Sequence, residues 1–172
     1  MNVYLKAFLF LVVFSVLHMG YELTEWRFLT PFCGVNESVF QHLKMAFWGY
    51  LFLAGLIEYP FVKRKDSLAV NFWYSRFLTA VMLPWVVFLL WYILPGFCGR
   101  FHSLWADLAW AVSITYLSCL FTGYIEKSME DANFSRSARY SILLLLSVSC
   151  LLFVWFTYKL PWIDLFVNPE NL

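Results

Sequence analysis

Long apolar stretches alternate along this chain with short clusters of polar residues. Five stretches approach the roughly 20 predominantly apolar residues that a helix needs to cross the hydrocarbon core of a bilayer. They run from about Val3 to Gly20, Phe40 to Phe61, Phe72 to Leu94, Leu104 to Ile125 and Tyr140 to Leu160. The pattern predicts an all-α polytopic bundle of five transmembrane helices, forming a single domain over residues 1–172. The first stretch carries only Lys6 near its start, and the polar "HMGYELTEW" follows it without a small-residue cleavage site. It therefore reads as a retained spanning helix, with a signal anchor as the alternative.

Composition agrees with that reading, since 62% of the residues are hydrophobic and only 13% charged, with a mean hydropathy of +0.70. A soluble domain of this size would need far more polar surface, whereas lipid accepts apolar side chains outside. The formal net charge of +1 gives no sign of a nucleic-acid partner. The partner expected from composition is the lipid bilayer, with a second membrane protein or another copy of the chain in addition. Cytoplasmic loops retain Lys and Arg, and here Lys6, Lys63, Arg64, Lys65, Arg76, Lys127, Arg136 and Arg139 fall on one side against Arg27, Lys44, Arg100 and Lys159 on the other. This bias puts the N-terminus in the cytoplasm and the C-terminus outside, with Trp26, Trp105 and Trp162 near the outer interface.

The polar residues that carry chemistry gather at the outer end. Cys33 in "PFCG" and Cys98 in "GFCG" both fall in outer loops, so a disulfide between them is one reading and two free thiols the other. His18 closes the first helix, His42 enters the second and His102 precedes the fourth. His18 and Glu22, spaced i, i+4, share one helical face with Ser15. Glu37 and Gln41 share a face of the second helix, and Asp107 enters the fourth. Ionisable groups at membrane depth are costly and mark functional sites. Glu37, His42, His18 and Glu22 are thus candidates for acid–base chemistry. Asn36, Tyr21 and Asp107 are candidates for ligand contacts, and His18, Glu22 and His42 are candidate ligands of a divalent metal such as zinc.

The plainer alternative is that these residues serve a wet interface, and that "SVFQ" is a capping box in which Ser38 caps the second helix while Gln41 reaches back. Two interior features stand apart. Asp107, Ala111, Thr115, Ser118 and Thr122 form a small, polar stripe on the fourth helix, which suits close packing or a substrate path. Glu58 and Arg76 lie near the same membrane face and are expected to form an ion pair.

At "GVNESVFQHLKMAFW", with "HMGYE" upstream and "IEYPF" downstream, the chain resembles a functionally uncharacterised family of small prokaryotic integral-membrane proteins with a P-V-N-E-S-x-W-E-H-L-K-type signature. The correspondence runs through His18, Tyr21, Glu22, Asn36, Glu37, Ser38, His42, Leu43, Lys44, Glu58 and Tyr59, and the tail "LPWIDLFVNPE" is similar as well. Phe40 and Gln41 stand where the family usually has Trp-Glu, and Gly34 where it usually has Pro, which weakens any scheme needing the carboxylate at Gln41. The resemblance implies a protein of a prokaryotic cytoplasmic membrane and supplies no reaction. The leading expectation is a membrane-embedded enzyme or ligand-binding protein acting through the outer site on a lipid-like or small substrate. A non-catalytic membrane subunit is the alternative, and a small transporter component the third.

Overall fold

The computed structural model describes residues 1–65, 69–99 and 103–167. Among these residues the chain is helical, without strands, and five helices are long and apolar enough to cross a membrane. They are α1 (Val3–Thr24), α2 (Val39–Lys63), α3 (Phe72–Cys98), α4 (Leu104–Met129) and α5 (Arg136–Tyr158). In α1 the side chain of Asn2 accepts a hydrogen bond from the Tyr4 amide, satisfying a donor that helix geometry leaves free. Glu25 ends that helix in the left-handed region at φ 53°.

Helices α1 to α4 close a ring in which each packs on the next and α4 packs back on α1. Its core includes Ala7, Phe10, Phe47, Tyr50, Ala80, Leu83 and Ile114. Helix α5 lies outside, packed on α3 and touching α2 where Phe153 meets Phe47 at 4.9 Å between ring centroids. Only Ile142 of α5 is buried, as suits a helix on the outside of the ring. The turn Asp164–Phe166 returns to the start of α2, with the Phe166 ring packed 4.6 Å from that of Phe40.

One local irregularity governs the interior. Helix α2 is α-helical to Phe52, widens into a π turn over Leu53–Glu58 and resumes at Tyr59. The cause is Pro60, which has no amide hydrogen and whose ring would strike the carbonyl one turn back. The chain widens instead, and the Tyr59 amide donates to the Ala54 carbonyl. The phase consequence follows from 3.6 residues per turn: Glu58 would sit about 80° around the helix from Tyr50, and one extra residue brings the two within about 20°. Both then face the ring interior.

There Lys6 of α1, Glu58 of α2, Arg76 of α3 and Glu126 of α4 meet, each almost completely buried. Lys6 Nζ lies 2.6 Å from Glu58 Oε2 and also pairs with Glu126. Arg76 Nη2 lies 2.8 Å from Glu58 Oε1 and 3.4 Å from Glu126 Oε1, and pairs with Glu130 just beyond α4. The Tyr50 hydroxyl donates to the other Glu126 oxygen. The expected Glu58–Arg76 pair is thus formed, as half of a larger network.

Removing one partner of a buried network strands the others. Lys6→Met is expected to lower stability in detergent by about 3–5 kcal/mol, seen as a lower unfolding midpoint. Adding Glu126→Gln should recover part of that loss, and a Lys6→Met protein as stable as its parent would contradict the account.

Candidate functional site

At the opposite end of the ring the chain between α1 and α2 folds back over the helix ends. Three bonds fix it. The buried Lys44 ammonium donates to the Thr30 carbonyl at 2.8 Å, the Gly34 amide donates to the Leu17 carbonyl at 3.2 Å, and Asn36 Oδ1 accepts from the Ser38 amide at 3.0 Å. Gly34 sits where a side chain would come within 3.0 Å of Met45 Sδ, so the loop lies tightly on both helices. Glu37, two residues before the start of α2, is thereby placed between His18 and His42.

His18 Nε2 and His42 Nε2 each lie 3.5 Å from the same atom, Glu37 Oε2, and the imidazole centroids are 5.3 Å apart. One ligand atom from each of the three residues lies within 4.8 Å of the others. His42 Nδ1 lies 3.0 Å from the Ser38 carbonyl. A carbonyl only accepts, so Nδ1 carries the proton and donates it there, leaving Nε2 to face Glu37. The hydrogen bond from His18 holds the Glu37 carboxyl below its usual range, against the desolvation of burial. Below the cluster, Phe14 packs its ring against both imidazoles.

Two cavities meet at His18 and Glu37, which line both. One, of about 290 Å³, runs down between α1, α2, α3 and α4 and is walled mainly by apolar side chains such as Leu11, Phe14, Val87 and Trp91. The other, of about 390 Å³, lies at the helix ends and is polar, with Tyr21, Glu22, Glu25 and Asn36 in its wall.

The expected residues separate on this geometry. His18, Glu37 and His42 come together. Glu22, expected as a metal ligand with His18 and His42, is exposed in the wall of the polar cavity and stands outside the three-residue cluster, whose carboxylate is that of Glu37. Glu37 also answers the departure at Gln41: the carboxylate beside His42 comes from the loop, not from the helix. Tyr21 and Asn36 line the polar cavity as ligand candidates. Asp107, in the first turn of α4, is near enough for its charge to act on His42. The capping box is not formed: Ser38 makes no side-chain cap, and Ser38 Oγ and Gln41 Oε1 are buried without a hydrogen-bond partner. Cys33 is a free thiol packed with Leu17 and Met45, and no disulfide is formed among the described residues; burial raises its pKa, opposed by the charge of Lys44. The Cys98 side chain and all of His102 lie outside the described residues. The stripe on α4 divides, with Ala111 and Thr115 lining the apolar cavity and Ser118 and Thr122 buried in packed interior.

The correspondence of sequence over the whole of this architecture decides the family. The chain belongs to the DUF6512 family. The match covers residues 2–171, and the family is one of unknown function, which fits the uncharacterised family that the "HMGYE" and "VNES" stretches resemble. No curated protein and no solved structure matches the chain.

Two imidazoles sharing one carboxylate oxygen should behave as one unit. In a double-mutant cycle of His18→Ala and His42→Ala, read by unfolding in detergent, the coupling is expected to exceed about 0.5 kcal/mol. Strict additivity would make them independent interfacial groups.

Proposed function

We propose that this protein is an integral membrane protein with its N-terminus in the cytoplasm and its C-terminus outside, whose His18–Glu37–His42 cluster binds a divalent cation at the extracytoplasmic end. The observation that carries the reading is the shared oxygen. With Nδ1 of His42 committed to the Ser38 carbonyl, a neutral His42 ring turns its Nε2 lone pair toward Glu37 Oε2 at 3.5 Å. Two electron-rich atoms held together in this way call for positive charge between them, and a cation supplies it to all three residues at once.

Size and donor type support zinc. Bonds of about 2.0–2.2 Å in tetrahedral geometry set donor atoms about 3.3 Å apart, close to the two 3.5 Å separations. Two imidazoles and a carboxylate form a donor set of catalytic zinc sites, which leave a fourth position open. The Ser38 carbonyl acts as the outer support that fixes the His42 ring. A zinc ion held by these three residues would supply Lewis-acid chemistry for a bound carbonyl or water, and on this ground the reading prefers a membrane-embedded enzyme to passive binding. The exposed faces of α5 favour a second reading, a membrane subunit that packs against a partner; a bound metal at the cluster separates the two.

Protein purified without chelators or a histidine tag is expected to bind one equivalent of Zn2+, with His18→Ala, Glu37→Gln and His42→Ala each weakening it by more than about 100-fold. Isothermal titration with Zn2+ checks this, and full affinity in Glu37→Gln and His42→Ala would remove the cluster as the site. For orientation, the Lys65→Cys variant should resist an impermeant thiol reagent in intact cells and react after permeabilisation. Labelling of that variant in intact cells above the parent background would reverse the orientation.

A further inference from the structure

The two cavities differ in chemistry and share a wall, and this narrows what the proposed metal site works on. The apolar cavity descends from His18 to Leu11 along α1 and from Leu108 to Thr115 along α4. Seven positions on each helix give the same depth, roughly 10 Å at 1.5 Å per residue. Between α1 and α4 it is lined by Met19, Leu108 and Val112, each about half exposed. In a bilayer that surface meets lipid chains, so the gap between α1 and α4 admits a chain laterally. The same two helices are pressed together at the other end, where a side chain on Gly123 would come within 2.9 Å of Val3.

The polar cavity has an unbalanced charge. Glu22, Glu25 and Glu37 line it, and among the described residues no Lys or Arg does; Glu22 and Glu25 likewise form no ion pair among the described residues. One divalent cation at the cluster leaves the three carboxylates with a net charge of about −1. A head group that donates hydrogen bonds or carries positive charge fits there, and a phosphate does not.

We infer that the ligand of this site is a single-chain amphiphile that enters sideways from the outer leaflet, lays its chain between α1 and α4, and presents an amine- or hydroxyl-bearing head to the cavity above His18 and Glu37. The inference rests on the proposed cation site for what happens to the head, and on the cavities alone for binding.

The test uses the full chain in phosphatidylcholine vesicles and two photoreactive probes with the same dodecyl chain, one ending in a primary amine and one in a phosphate. The amine probe is expected to crosslink to cavity-lining segments of α1 and α4 at least tenfold more than the phosphate probe. Ala111→Phe, which fills the cavity, should reduce that labelling at least tenfold while Zn2+ binding persists. Thr115→Leu serves the same end should Ala111→Phe fail to fold. Glu22→Gln with Glu25→Gln, on the exposed wall, should narrow the preference for the amine. Equal labelling by both probes would mean that the cavity holds bulk lipid chains, and would overturn the inference, as would labelling that survives both cavity-filling variants. Zn2+ binding without amine-selective labelling would leave the cation site standing and refute the amphiphile; selective labelling without Zn2+ binding would do the reverse.

Discussion

The arrangement depends on the burial of Lys6, Glu58, Arg76 and Glu126 in one network at the cytoplasmic end of the proposed topology. Inside a membrane there is no water to share the cost of a buried charge, so each ion must be satisfied by the others. Each of these four residues comes from a different helix of the ring. Satisfying the charges therefore fixes the rotation and depth of α1, α2, α3 and α4 together. No pair of helices can turn about its axis without breaking an ion pair. Helix α5 contributes no residue to these ion pairs among the described residues, and it is the helix left outside.

A ring pinned at one end is free to differ at the other. Near the network, α1 and α4 approach closely enough for Gly123 to meet Val3. About 12 residues further along α1, or roughly 18 Å, the same helices flank a cavity. One stripe of α1 joins the two ends, with Lys6, Phe10, Phe14 and His18 following at intervals of four residues. Phe10 packs on Tyr50 at 6.0 Å and Phe14 on His42 at 6.4 Å. Two layers of aromatic rings thus separate the charged network from the imidazoles, and the two ends have distinct chemistry.

The sequence made the five helices and the outer His and Glu residues legible, because apolar length and residue type suffice for both. The Glu58–Arg76 pair could be read from position along the helices alone. The rest of the network could not. Lys6 looks like an ordinary positive flank of a first helix, and Glu126 looks like the polar end of α4, although it continues the Ser118–Thr122 stripe by four residues. Seeing Tyr50 and Glu58 on one face requires the widened turn that Pro60 imposes; regular helical spacing sets them about 80° apart. At the other end, i, i+4 spacing pointed to Glu22 as the partner of His18. The actual partner arrives through space, on a loop whose course is set by Lys44 and the Gly34 amide, neither of which announces a turn. The "SVFQ" pattern misled in a similar way: it matches a cap in letters, but His42 reaches the Ser38 carbonyl and the expected side-chain bonds are not made.

The contrast between the two ends is what gives the outer cluster its functional weight. At the inner end every charge faces an opposite one at hydrogen-bonding range, and the Tyr50 hydroxyl fills a remaining acceptor site. Such saturation holds helices in place and leaves nothing for a ligand to complete. At the outer end two imidazole nitrogens each lie 3.5 Å from one carboxylate oxygen between them, beside two cavities. A structural cluster would be expected to close on itself as the inner one does. This one is held open by bonds that point away from its centre: Nδ1 of His42 to Ser38, Asn36 to the Ser38 amide, Gly34 to Leu17. These bonds position the three side chains, and on the proposed reading the inward-facing atoms are left for a cation.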